Sequence, residues 1–150
     1  MRDITQAYVQ LATLLARVIF AKPPKEITHE LLPGIIFKVV KPLYGVPEAG
    51  MHWYGTYSNH HKDKLSIETL MFDPCLLVTR NKDGPFRIVT IQTDDTLILG
   101  DDAFVELEHI KLEKAKLMAK PIESLARDTL VIFNGCKLVI NGSGPNITLL

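Results

Sequence analysis

Runs of β-branched and apolar residues, separated by turn-forming residues, predict a chain built largely from short antiparallel strands. The clearest example is Phe86 to Gly100, where predicted strands over Arg87–Gln92 and Thr96–Leu99 flank a tight polar turn. Asn81 to Gly84 has the composition of a hairpin loop leading into this segment. Further strands are predicted over residues 17–21, 35–40, 75–79, 130–133, 136–140 and 147–150.

Two stretches show helical spacing of apolar residues. The first helix is predicted over about 48–65, with one face formed by Ala49, Trp53, Tyr57 and His61. The second is predicted over about 103–118, capped by Asp101 or Asp102, ended by Pro121, and with a face formed by Phe104, Leu107, Ile110, Lys114 and Leu117. Residues 4–16 are predicted as a short helix or irregular turn. The fold class is therefore α+β, with the hairpin central in an antiparallel sheet and helices on one face.

The turn of the 86–100 hairpin carries two adjacent carboxylates, Asp94 and Asp95. Neighbouring carboxylates repel each other and lose solvation when they are partly buried. A less costly turn could be made with Asn-Gly or Asp-Gly. The pair is therefore either a well-solvated turn or a place where a divalent cation supplies the missing positive charge.

Composition sets only broad limits on function. The 150 residues suit one domain or a piece of one, and 47% of them are hydrophobic. Seventeen basic and seventeen acidic residues cancel, so net charge points neither to nucleic acid nor to a membrane surface. No apolar run approaches the length of a membrane span, and no signal peptide is recognisable.

Five motifs, in order along the chain, resemble the reverse transcriptase of Ty1/copia-type retrotransposons. Their sequences are most similar to those of fungal elements. They are RDITQAYVQ (2–10), KPLYGVPEAGMHWY (41–54), FDPCLLV (72–78), QTDDTLILG (92–100) and FNGCKLVI (133–140). The first resembles that family's first catalytic motif, and QTDD stands where the family has its YVDD box. The resemblance implies an antiparallel palm-like sheet and a palm/fingers fragment of an RNA-directed DNA polymerase.

The same resemblance implies a two-metal nucleotidyl transfer site in which Asp3, Asp94 and Asp95 bind two Mg²⁺ ions. Carboxylate oxygens are the ligands that such hard cations prefer, and two ions can stabilise the attacking and leaving oxygens of an in-line displacement. Asp3 and Asp94 are then expected within reach of shared ions, at roughly 2.0–2.6 Å per oxygen.

Substrate contacts are also implied by the resemblance. Tyr8 matches the residue whose ring lies under the nucleotide sugar and rejects a 2′-hydroxyl, and Gln92 is a second substrate-binding candidate. Lys38 and Lys41 are candidates for contacts to template and primer phosphates. The implied partners are an RNA or DNA template-primer, deoxynucleotides and the rest of the Pol polyprotein, in an intracellular setting and without a membrane.

The chain departs from the family pattern at three places. Gln92-Thr93 replaces an aromatic-Val pair, and residues 47–50 replace a Lys-Gln-Ser-Pro segment. Only two residues precede Asp3, so its strand is expected to be nearly absent, as are the thumb and RNase H regions, and the isolated chain is expected to be inactive. Two alternatives stay open: a catalytically inactive retroelement remnant, and a small α+β binding domain whose acidic turn is incidental.

Overall fold

The computed structural model describes residues 1–80, 84–127, 129–140 and 147–149 of the chain. Its strands are β1 Arg2–Asp3, β2 Ile19–Ala21, β3 Phe37–Val39, β4 Ile67–Thr69, β5 Leu76–Thr79, β6 Ile88–Gln92, β7 Asp95–Leu99, β8 Val131–Phe133, β9 Cys136–Ile140 and β10 Ile147–Leu149. Its helices are α1 Ala49–Leu65 and α2 Asp102–Lys114, with short 3-10 turns at Ala7–Gln10 and Thr28–Glu30. Parts of the predicted turns (81–83 and 141–146) and the predicted strand end at Leu150 lie outside the described residues.

The main sheet has five strands in the order β1-β7-β6-β5-β4, and every neighbouring pair is antiparallel. Strand β6 is the middle strand and pairs with β7 from Ile88 opposite Leu99 to Gln92 opposite Asp95. The predicted central hairpin is therefore confirmed. Strands β2 and β3 form a separate two-stranded sheet, and β8, β9 and β10 form a three-stranded one.

Both helices pack against one face of the main sheet, as the sequence predicts. The buried core combines side chains from α1, from α2, from the inner face of β4 to β6 and from the segment after β1. Its largest apolar members are Trp53, Tyr57, Phe104, Ile4, Leu11, Ile67, Leu77, Ile91 and Leu112. The predicted α1 face is confirmed, because Ala49, Trp53, Tyr57 and His61 are all at most 1% exposed. The described structure is thus α+β, with the other face of the sheet free of helices.

Helix α2 differs from its predicted form in length and in the face it buries. It ends at Lys114 because Lys116 adopts a φ of +58° and the Leu117 N–H donates to the Leu112 carbonyl across the helix end at 3.0 Å. Its buried residues are Phe104, Glu108 and Leu112, whereas Leu107 is 39% exposed. The predicted face is confirmed at Phe104, which is buried, and at Leu117, which packs against the core. It is wrong at Leu107, because a glutamate that the apolar pattern omits lies inside the fold.

Strand β4 was not predicted. It begins directly after α1, where Ser66 takes a φ of +54° and reverses the chain, and it pairs with β5 at the edge of the sheet. Its three residues are too few to show an alternating pattern. Neither helix in the described part of the chain has the length and apolar character needed to cross a membrane.

Candidate functional site

The three acidic residues singled out in the sequence meet at one end of the β1–β7 pair. Asp3 lies directly opposite Asp95 in the antiparallel register. The amide of Ile4 donates to the carbonyl of Asp94 at 3.1 Å, which continues the pairing into the turn. Two motifs some ninety residues apart in sequence are therefore adjacent in space.

The pleat of the sheet sends Asp3 and Arg2 to opposite faces. Arg2 lies opposite Thr96, and both side chains are buried on the helix-covered face. Asp3 and Asp95 are half-buried and belong to the other face of β1 and β7. The carboxylates thus border the face of the sheet that neither helix of the described residues covers.

The turn that carries the acidic pair is strained. Only Thr93 and Asp94 separate the paired residues Gln92 and Asp95, and Thr93 has a φ of +54°. A β-branched residue rarely adopts this left-handed conformation, which costs of order 1–3 kcal/mol. Two-residue hairpin loops usually place Gly, Asn or Asp at this position, so a threonine there is the unusual feature of the turn.

The electrostatics of the site show an excess of negative charge. The pKa of Asp95 is raised, first by burial and then by the neighbouring carboxylates of Asp94 and Asp3. Burial and the charge of Asp94 likewise raise the pKa values of the Tyr8 and Tyr44 hydroxyls. Burial is the largest cause of each shift, and the negative charge of the neighbouring carboxylates adds to it.

One cation of the chain already contacts this cluster. The Lys120 ammonium donates to Asp3 Oδ2 at 2.5 Å, and the Lys120 amide donates to the Asp3 carbonyl at 2.9 Å. The contact with Asp3 raises the pKa of Lys120. Nothing in the sequence predicts this contact, because no local pattern around Lys120 signals that the chain returns to β1.

Strand β1 is short but is held on both sides. It pairs with β7 on one side, and on the other a bridge joins Ile4 to Ala119. Beneath the sheet, Arg2 Nη2 lies 2.5 Å from Glu108 Oε2, with side chains 3% and 0% exposed. The strand that carries Asp3 was expected to be nearly absent, and β1 is indeed only two residues long. The contacts on both sides of β1 nevertheless hold Asp3 in place.

The proposed substrate residues are distributed unequally around the site. Tyr8 is only 9% exposed, and its ring centroid lies 4.5 Å from that of Tyr44, a contact that the sequence does not predict. Gln92 is exposed and sits opposite Asp95. Lys38 and Lys41 are exposed in and just after β3, in the separate two-stranded sheet, rather than in the sheet that carries the acidic residues.

Within the described ranges, no three His, Cys, Asp or Glu side chains are arranged as a ready metal-binding group. The donor set nevertheless fits Mg²⁺ in its chemistry, since it consists of carboxylates held next to each other by two adjacent strands, and hard cations prefer carboxylate oxygens. Closing these groups around an ion requires side-chain rotation, because Asp3 is engaged by Lys120.

Comparison with known proteins gives one informative match. The chain is 32% identical over 103 residues to the Retrovirus-related Pol polyprotein from transposon TNT 1-94 of Nicotiana tabacum. This supports a retrotransposon Pol-related origin. The match covers 67% of this chain and 8% of the length of that polyprotein, so the chain spans a small part of its relative. No protein-family profile and no solved structure matches the chain.

Proposed function

We propose that the chain is part of the palm, with adjoining fingers, of a copia-type reverse transcriptase, an RNA-directed DNA polymerase. The observation that carries the proposal is the pairing of Asp3 with Asp95, next to Asp94, at the helix-free face of an antiparallel sheet. The Pol-related origin makes the rest of such a polyprotein the natural context of the chain.

In this proposal Asp3, Asp94 and Asp95 hold two Mg²⁺ ions. When bound, the ions supply Lewis-acid stabilisation of the attacking and leaving oxygens during nucleotidyl transfer. The chain's own contribution is placement: β1 and β7 fix two carboxylates directly across from each other, and the strained turn at Thr93 fixes the third. Such preorganisation matters because small displacements of a reacting group are costly for catalysis.

Tyr8 and Gln92 are the proposed substrate contacts. The tilted contact between the rings of Tyr8 and Tyr44 forms an aromatic wall within the field of Asp94. A rigid ring at this point could exclude a ribose 2′-hydroxyl by its bulk. Exposed Gln92 borders the same carboxylates and can donate or accept hydrogen bonds.

Primer extension tests the proposal. The segment would be expressed with the rest of its Pol polyprotein and supplied with Mg²⁺, deoxynucleotides and a primed RNA template. Asp94→Asn should abolish extension, whereas Asp102→Asn, which changes an exposed carboxylate at the start of α2, should leave it unchanged. Extension that survives Asp94→Asn would contradict the assignment, and a wild-type protein without extension would favour an inactive remnant.

A further inference from the structure

Lys120 contacts the acidic site through both its backbone and its side chain. The amide-to-carbonyl bond to Asp3 and the bridge between Ile4 and Ala119 fasten this segment alongside β1. The side chain then reaches over to Asp3 Oδ2 while remaining 62% exposed. The backbone of Lys120 is therefore fixed, whereas its exposed side chain has space to rotate away.

The contact occupies a carboxylate oxygen that a cation would need. Asp3 is 32% exposed and gives Oδ2 to the ammonium. A divalent cation that bound Asp3 through this oxygen would meet a positive charge at hydrogen-bond distance. Two like charges this close repel strongly, even in a partly solvated setting.

We propose that Lys120 is a built-in counter-ion of the acidic site, which neutralises Asp3 in the metal-free protein and must be displaced when a divalent cation binds. The inference rests on the proposed function, because it takes Asp3 as a metal ligand. It adds an energetic coupling within the chain: the free energy of the Lys120–Asp3 contact is lost when the cation binds, so the lysine sets how tightly the site holds metal.

The proposal and a purely structural role of Lys120 predict opposite changes in metal affinity when the charge of the lysine is removed. If Lys120 competes with the cation, removing its charge strengthens metal binding. If Lys120 instead orients Asp3 for the metal, removing it weakens binding. Because the Lys120 side chain is largely exposed, its replacement leaves no cavity in the core.

The experiment is calorimetric titration of the 150-residue chain with MnCl₂ at low ionic strength. Lys120→Met should tighten Mn²⁺ binding by about three- to tenfold, the range expected when one nearby charge is removed. Lys120→Arg keeps the charge and should bind as the wild type does. Lys114→Met, a matched change at an exposed lysine of α2, should also leave binding unchanged.

Each remaining outcome decides against the inference. Unchanged or weaker binding by Lys120→Met would overturn the competition while leaving the metal site intact. Equal tightening by Lys114→Met would show a general charge effect and would also overturn it. If Asp94→Asn bound Mn²⁺ as tightly as the wild type, the proposed function itself would fail, and this inference with it.

Discussion

Asp3 lies opposite Asp95 in the β1–β7 pair, and the residue before it, Arg2, lies on the other face of the sheet in contact with Glu108. This arrangement sets the register of the short strand. A slip by one residue would turn Asp3 toward the core and Arg2 toward solvent. The buried ion pair therefore determines which face of the sheet carries the acidic residues.

The Arg2–Glu108 pair should be costly to break but tolerant of joint replacement. Removing one partner leaves a buried charge without compensation, so Arg2→Met or Glu108→Leu alone should lower the free energy of unfolding by about 3–5 kcal/mol. The double variant should recover most of this loss, because apolar side chains can fill the same space. Urea denaturation measures all three, and single variants within 1 kcal/mol of wild type, as expected for a surface pair, would contradict the account.

Buried His61 should make stability depend on pH. Burial lowers its pKa to about 4, from an ordinary value of 6.5, and its Nδ1 lies 3.0 Å from the Tyr57 carbonyl. Between pH 4 and 6.5, His61 is protonated in the unfolded chain and neutral in the folded chain. The stability contributed by neutral His61 is therefore complete above pH 6.5 and is lost as the pH falls toward 4, by roughly 3 kcal/mol in total.

Other titratable groups near His61, among them His60 and Glu108, also affect how the free energy of unfolding depends on pH. Burial raises the pKa of Glu108, so the stability that Glu108 contributes decreases as the pH rises. The Arg2 guanidinium opposes this pKa shift. The measurement is therefore a difference between wild type and His61→Gln in urea denaturation from pH 4 to 7. That difference should grow with pH, whereas His29→Gln, at an exposed histidine, should give a flat difference. A flat difference for His61→Gln would refute the prediction.

The N-terminus of α2 should be stabilised by Asp101 and not by Asp102. Asp101 Oδ1 accepts the Phe104 amide at 2.7 Å, and its Oδ2 accepts from the Arg87 guanidinium at 2.9 Å. Asp101→Ala should therefore cost about 1 kcal/mol of stability, the usual value for a lost N-cap. Asp102→Ala should cost less than half of that, as thermal unfolding of the two variants would show. Equal losses would mean that the cap contributes little.

The sequence was sufficient for the elements that carry strong periodic patterns. Helix α1 begins one residue from its predicted start and ends at Leu65, and the central hairpin has its turn where the acidic pair predicts it. These segments combine a regular apolar spacing with clear turn-forming or capping residues at their ends, so local and tertiary preferences agree. The resemblance between motifs led us to expect Asp3 close to Asp94. In the structure Asp3 lies opposite Asp95, with Asp94 next to it in the turn.

What the sequence could not show depends on contacts between distant residues. Glu108 interrupts the apolar face of α2, and it is buried only because Arg2 arrives from a strand 106 positions away. Lys120 contacts Asp3 across 117 positions. A single sequence contains no signal for such pairs, because either partner alone is indistinguishable from an ordinary surface charge.

The most direct test of the acidic site is an Mn²⁺ titration followed in the amide NMR spectrum of the chain. Paramagnetic broadening should appear first at Asp3, Asp94 and Asp95, and the amides of β4, at the far edge of the sheet, should respond last. Asp3→Asn and Asp94→Asn should remove this pattern, and Asp102→Asn should preserve it. The assignment of a metal site at the β1–β7 pair would be contradicted by broadening that does not include the three acidic residues. Broadening that persists unchanged in Asp3→Asn and Asp94→Asn would contradict it too.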